Sequence, residues 1–235
     1  MKESDEIDDN FPFGLQKITY PNIGEEKSSC LISLPVSDSC SKSVELYWQK
    51  TIKGLSLNQQ YRAVLSDYEL ERYETIRHSG KKSCYLQGRV LTKEILAKEL
   101  NCSPRDVSFK LNEYGRPSLA VANGDIDFNI SHSGELIMVA ILKDAGGWQI
   151  GVDIEQPNSR RTLAMAERFF TNDESSYIAN GDSRWQECGF YQIWTMKEDV
   201  LKAAGIGMSV PLNSFDVIQT NPNNLPAVIS LNNSI

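Results

Sequence analysis

WQIGVDIE, residues 148–155, is an apolar run that reads as a buried strand, yet it carries two carboxylates, Asp153 and Glu155, with Ile154 between them. Side chains of a strand alternate between its faces, so the two acids point the same way, about 7 Å apart along the chain. Two like charges so placed repel. A solvent-facing strand end tolerates them, and a cation site uses them, because carboxylate oxygens are the ligands a hard divalent ion prefers. From the run alone both readings stand.

The segments around the run show an order of elements that occurs twice. VELYWQK from Val44 reads as a strand. Ser66 with Glu69 is a capping box that opens a helix through about His78. CYLQGRVLTKEILAKEL then has the one-sided spacing of a second helix, and VSFKL, DFNIS and LIMVAIL read as strands. WQIGVDIE restarts the series: Thr171 with Glu174 is again a capping box, and FYQIWTMKEDVLKAAG is again a long helix, closed by Gly205. SFDVIQ and AVISL follow as strands, but a counterpart of LIMVAIL is lacking before Ile235. A duplicated unit is the economical reading, with subdomains at 43–147 and 148–235; the likeness lies in element order rather than in residue identity.

Residues 1–42, acidic at first and Ser-rich later, show little periodicity and read as a mobile leader. Residues 1–10 hold five acids and one lysine, so of the net charge of −7 the remainder carries −3. It has no basic face of the kind that grips nucleic acid. LIMVAIL is too short to span a bilayer, and MKESDEIDDN lacks the pattern of a signal peptide, so a cytoplasmic protein without membrane contact is expected. Five cysteines (30, 40, 84, 102 and 188), without C-x-x-C spacing, fit free thiols in a reducing compartment.

Two further clusters carry chemistry. Glu198 and Lys202 lie four apart on one face of the long second helix; alone they read as an exposed ion pair, and beside Asp153 and Glu155 they read as a third carboxylate and a phosphate-binding cation. NISHSG, residues 129–134, places Ser131, His132 and Ser133 at a strand end, either as structural groups or as phosphate donors.

IGVDIE, followed by Glu198 within IWTMKEDVLKA, resembles the paired signature of the 4'-phosphopantetheinyl transferases, in particular the monomeric two-repeat type that acts on peptide and polyketide synthases. EYGRP at 113–117 and FNISHSG at 128–134 look like further motifs of that family in the same order, so the resemblance covers about residues 44–220. It implies an α+β fold of two similar α/β subdomains related by pseudo-twofold symmetry, the second apparently without its last strand. It implies transfer of the phosphopantetheine arm of coenzyme A to a serine of an apo acyl or peptidyl carrier protein, leaving 3',5'-ADP. Asp153, Glu155 and Glu198 match the Mg²⁺ ligands, with Glu198 also the base, and Lys202 and Lys197 match the K-E-x-x-x-K lysines, Lys202 on the pyrophosphate. Arg116, Ser131 and His132 match residues at the adenosine end and its 3'-phosphate, and Arg72 matches a basic position that serves the same phosphate. Glu69 departs from the family, where a basic residue is common. The rival readings are an inactive relative that only binds coenzyme A or a carrier protein, and another Mg²⁺-dependent phosphate enzyme.

Overall fold

Alternation along VELYWQK produces a strand that is buried on both faces, and the first half of the chain is built around it. The computed structural model describes residues 6–8, 15–20, 44–121, 125–156 and 162–218. In chain order the elements are β1 (Glu6–Asp8), β2 (Leu15–Tyr20), β3 (Val44–Lys50), α1 (Gln59–Val64), α2 (Asp67–Thr75), α3 (Ser79–Leu100), β4 (Phe109–Leu111), β5 (Pro117–Leu119), β6 (Ile126–Ser133), β7 (Leu136–Lys143), α4 (Thr162–Phe169), α5 (Asn172–Ala179) and α6 (Ser183–Ala204). Among the described residues five strands form one antiparallel sheet in the order β1-β2-β3-β7-β6, and β4 pairs with β5 separately.

The sheet has two buried faces. Tyr47 of β3, Ile137, Val139 and Ile141 of β7 and Phe128 of β6 pack under α3, against Leu91, Ile95 and Leu96. Val44 and Leu46 of β3, with Met138, Ala140 and Leu142 of β7, face the other way and receive Ile150 and Val152. Because each face is covered, β3 and β7 carry apolar residues on both, with Glu45 and Gln49 buried among them. The helices α4, α5 and α6 form their own core around Phe170, Phe190, Ile193 and Met196, sealed by Val217.

Several expectations change. Two segments of the expected leader are strands: β2 pairs with β3 from Gln16↔Trp48 to Tyr20↔Val44, covering an edge that would otherwise be open. The helix opened by Ser66 is α2 and ends at Thr75, an unexpected α1 precedes it, and His78 caps α3, which starts five residues before Cys84. WQIGVDIE is not a strand of either sheet. SFDVIQ forms no strand over 214–218, and AVISL lies outside the described residues.

Both capping boxes are present as expected, and each glutamate has a second task. Glu69 Oε2 receives the buried ammonium of Lys93 at 3.0 Å, and Glu174 Oε2 receives that of Lys197 at 2.8 Å. The helices α3 and α6 are each 22 residues long, and Lys93 and Lys197 both stand at the fifteenth position. Glu69, the departure noted in the sequence, is thus the partner of a buried lysine.

Candidate active site

The run from Ile150 to Gln156 lies on the sheet and is held there by side chains. On β6 the residues Asp127, Asn129, Ser131 and Ser133 share one face, since they are two apart. Each accepts one backbone N–H from the run: Ile150 to Asp127 Oδ2 (2.7 Å), Val152 to Asn129 Oδ1 (3.1 Å), Ile154 to Ser131 Oγ (3.3 Å) and Gln156 to Ser133 Oγ (2.9 Å). A buried backbone needs partners for its amides, and here short polar side chains replace the carbonyls of a neighbouring strand. The run is therefore extended but outside the sheet.

α6 lies across this run, at a distance that Gly151 sets. A Cβ built there would stand 1.9 Å from the carbonyl oxygen of Asp199 and 3.0 Å from the nitrogen of Ala203. With Gly151 bare, the side chains of Asp153 and Glu155 share a line with α6 above them. Asp153 Oδ1 accepts from Ser131 Oγ at 2.8 Å and from Lys202 Nζ at 2.5 Å. Lys202 Nζ also donates to Ser131 Oγ (2.9 Å) and to the Val152 carbonyl (3.1 Å). Asp153 Oδ2 is buried without a partner, and Glu155 Oε2 accepts from Ser133 Oγ at 3.1 Å.

The charges are mutually felt. Burial raises the pKa of Glu198, and the negative charges of Asp153 and Glu155 add to that while Lys202 opposes it. Asp199, 2% exposed, is pushed well above the ordinary carboxylate value, first by burial and then by Asp153. The Lys202 charge and the nearby Asp153 backbone pull it back. Among the described residues no group of His, Cys, Asp and Glu is already closed into a metal-binding geometry. The chemistry of the set nevertheless suits a hard cation, because Asp153 leaves a buried carboxylate oxygen open beside two further carboxylates.

The structure thus brings together Asp153, Glu155, Glu198, Lys202 and Ser131, and separates the other expected residues from them. His132 follows Ser131 on the strand, so it points to the α3 side of the sheet, where it is exposed. Arg72 is also exposed on that side, in α2, which packs on α3. Lys197 is a correction: its ammonium is fully buried between Glu174 Oε2, the Leu212 carbonyl (2.7 Å) and the Phe215 carbonyl, among the aromatic rings of the second core. Burial lowers its pKa despite Glu174. Lys197 and Lys202 are five apart, on different faces of α6, so this ammonium cannot reach the face of Lys202 without unpicking these bonds.

Arg116 is also largely committed to protein. Its Nη2 meets Asp127 Oδ2 at 2.6 Å and the Ile150 carbonyl at 3.2 Å, and its Nε donates to the Lys202 carbonyl at 2.8 Å. The guanidinium therefore ties β6, the extended run and the end of α6 together. Gly205, with φ +68°, closes α6 where a Cβ would collide with Arg116 and Asn112. An open cleft of about 210 Å³ lies here, lined by Tyr114, Gly115, Arg116, Asn129, Leu201 and Lys202 among others.

Asp199 and the acceptors Asp127 and Asn129 were not singled out from the sequence. The signal was present in DIDFNISHS, where short polar residues recur at every second position of a strand that has to be buried.

This is an α+β protein whose carboxylates and lysine converge where a helix crosses an extended run on a sheet face. The model described as the 4'-phosphopantetheinyl transferase superfamily matches residues 149–232, and that described as 4'-phosphopantetheinyl transferase, N-terminal, matches residues 48–143. The chain is 32% identical to the 4'-phosphopantetheinyl transferase Sfp of Bacillus subtilis over 68% of its own length and 69% of the relative. It is 34% identical to another Bacillus subtilis 4'-phosphopantetheinyl transferase, over 74% of this chain and 76% of that one. For the 4'-phosphopantetheinyl transferase gsp of Aneurinibacillus migulanus the figures are 36%, 60% and 56%. The chain belongs to the 4'-phosphopantetheinyl transferase superfamily.

Proposed function

We propose that this chain moves the 4'-phosphopantetheine arm of coenzyme A onto a serine of an apo acyl or peptidyl carrier protein and releases 3',5'-ADP. The observation that carries the reading is the contact of Lys202 with Asp153 and Ser131, beside Glu155 and Glu198, at the mouth of a cleft. The carrier serine oxygen forms a bond to the β-phosphorus of coenzyme A as the bond from that phosphorus to the ADP oxygen breaks. The serine proton passes to Glu198, directly or through a water, and the leaving ADP keeps the bond's electron pair. In such a displacement the protein chiefly aligns the reactants and neutralises growing charge.

Asp153 through its open Oδ2, Glu155 and Glu198 would hold Mg²⁺. When bound, the ion supplies charge neutralisation on the pyrophosphate and a template for it. Lys202 keeps a cation beside the same phosphates, and its side chain is 27% exposed, so it remains reachable. Burial and neighbouring acids raise the pKa of Glu198 in the metal-free protein, whereas a bound cation would hold it ionised and less basic, which suits proton acceptance through a water. The cleft beside Arg116 is the place assigned to the adenosine end of coenzyme A.

The same reading makes the working unit a monomer in the cytoplasm, with coenzyme A and a carrier protein as its partners and neither nucleic acid nor membrane. It treats 43–147 and 148–235 as two related subdomains, a view supported by the matching Lys93–Glu69 and Lys197–Glu174 pairs. The test is incubation of the protein with coenzyme A, Mg²⁺ and several apo carriers. A carrier mass raised by one phosphopantetheine supports the function; unchanged mass with folded protein and saturating coenzyme A overturns it in favour of a binding-only relative.

A further inference from the structure

We infer that Asn112 is a positioning residue that sets the width of the cleft beside Arg116, because its side chain ties the turn on one wall to the helix end on the other. This rests on the reading of that cleft as the place of the adenosine end of coenzyme A, and adds to it a residue outside the cleft's own lining.

One wall is mounted on a weak element. Residues 112–116 join β4 to β5, which pair with each other and with no further strand among the described residues. A two-stranded hairpin is marginal alone, so its place depends on what it touches. Its base is anchored where the Phe109 ring meets that of Phe128, with 5.2 Å between centroids. Its tip carries Tyr114, Gly115 and Arg116, which line the cleft.

The other wall is the end of α6. The chain leaves the helix at Gly205, whose N–H donates to the Lys202 carbonyl at 3.2 Å, while the Ile206 N–H donates to the Leu201 carbonyl at 3.3 Å. Carbonyls at a helix C-terminus need partners from outside the helix. That of Gly205 accepts from Asn112 Nδ2 at 2.6 Å. At the other end of the same amide, Oδ1 accepts the N–H of Tyr114 at 3.0 Å and that of Arg116 at 2.9 Å. Two N–H groups on one side and a carbonyl on the other leave the amide one orientation, and an ionised carboxylate would satisfy only the first side.

Asn112 is exposed, so packing into a core does not account for it. Arg116 Nε holds the Lys202 carbonyl separately, at 2.8 Å. When the Asn112 bond is cut, hairpin and helix stay joined at Arg116, but Tyr114 and Gly115 at the tip lose their tie to Gly205. The cleft then changes in span while the assembly around it persists.

The experiment compares wild type with Asn112→Asp, which keeps the acceptor for the turn and loses the donor to Gly205, and Asn112→Ser, whose hydroxyl serves the turn without a charge and is too short to reach Gly205. Melting temperature, kcat and KM for coenzyme A, and the Kd of 3',5'-ADP by calorimetry are measured on each. Both variants are expected to melt close to wild type, to raise KM and the Kd of 3',5'-ADP about five- to tenfold, and to keep kcat within about twofold, because a restraint on the bound adenosine end acts equally on ground and transition states. Should one variant fail to fold, the other decides; failure of both makes Asn112 a structural residue and overturns the inference. Unchanged KM and Kd in a folded variant overturn it, as does a fall in kcat as large as the rise in KM. A rise confined to Asn112→Asp assigns the effect to charge and also overturns it. A wild-type protein that binds 3',5'-ADP but transfers nothing overturns the proposed function alone, and the binding measurement still decides the role of Asn112. A wild-type protein that binds neither 3',5'-ADP nor coenzyme A overturns both.

Discussion

Lys197 Nζ and Glu174 Oε2 are 2.8 Å apart with both side chains fully buried, at the centre of the second helical core. Glu174 Oε1 accepts the Val217 N–H at 2.8 Å, and Lys197 binds the Leu212 carbonyl, so the pair fastens the segment after α6 to the helices. Lys197→Met leaves a buried carboxylate without its cation and is expected to destabilise the protein by roughly 3–5 kcal/mol, with Lys93→Met similar in the first half. Chemical denaturation checks both. A Lys197→Met protein of wild-type stability with weakened coenzyme A binding would return this lysine to the ligand.

Gly151→Ala places a methyl group where the Asp199 carbonyl already stands, 1.9 Å from the built Cβ. The obstacle is backbone, so α6 has to move. We expect a stability loss of at least about 1–3 kcal/mol and, since Lys202 and Glu198 move with α6, a fall in kcat of about 100-fold. Wild-type turnover in this variant would show that the site does not depend on the close approach of helix and run.

Arg116 bridges Asp127, the Ile150 carbonyl and the Lys202 carbonyl. Its loss uncovers the largely buried Asp127, so Arg116→Ala is expected to lower the ligand-free stability by several kcal/mol, on the scale of a broken buried ion pair of roughly 3–5 kcal/mol. Melting without ligand is the decisive measurement. A residue that served coenzyme A alone would raise KM and leave the ligand-free melt where it was.

Glu94 follows Lys93 as Glu198 follows Lys197, and burial raises its pKa above the ordinary 4.5, with Lys98 opposing. Because the folded pKa is the higher one, the fold favours the protonated acid. The contribution to stability is complete below the unfolded pKa and is lost as pH rises through the folded pKa. Glu94→Gln imitates the protonated form, so it is expected to match wild type in acid and to be the more stable at neutral pH. Melting curves from pH 4 to 8 test this; a gap that is constant over the range refutes it.

The elements with local signals were legible in the sequence: both capping boxes, both long helices, and the β6 and β7 hairpin of DFNIS and LIMVAIL. The site was legible as a set of spacings, since Asp153, Glu155, Glu198 and Lys202 do converge. Readings failed where the deciding partner was distant. IGVDIE has the composition of a strand, but its amides are satisfied by side chains of β6, which period-two patterning cannot distinguish from pairing. Lys197 sits in a run of three charged residues, Lys197 to Asp199, that looks like helix surface, and its burial depends on Glu174 and on two carbonyls beyond the helix. Ser131 and His132, adjacent in the motif, lie on opposite faces of β6, a placement that adjacency in the motif does not convey. The residue likeness between Lys93-Glu94-x-x-x-Lys98 and Lys197-Glu198-x-x-x-Lys202 was also legible, and element order alone passed over it.

The side-chain ladder on β6 has a bearing on how the chain assembles. Each acceptor precedes its donor by 23 residues, so the loop that must close is short and its entropy cost small. Lys202 meets Ser131 and Asp153 across 71 and 49 residues, and it arrives later on a chain made from its N-terminus. The carboxylate run is therefore seated on a finished sheet before the helix that crosses it exists, and its apolar side chains are spared exposure in the interval. A nascent chain that has emerged from the ribosome as far as residue 183 would have its acids already in register, waiting for their lysine.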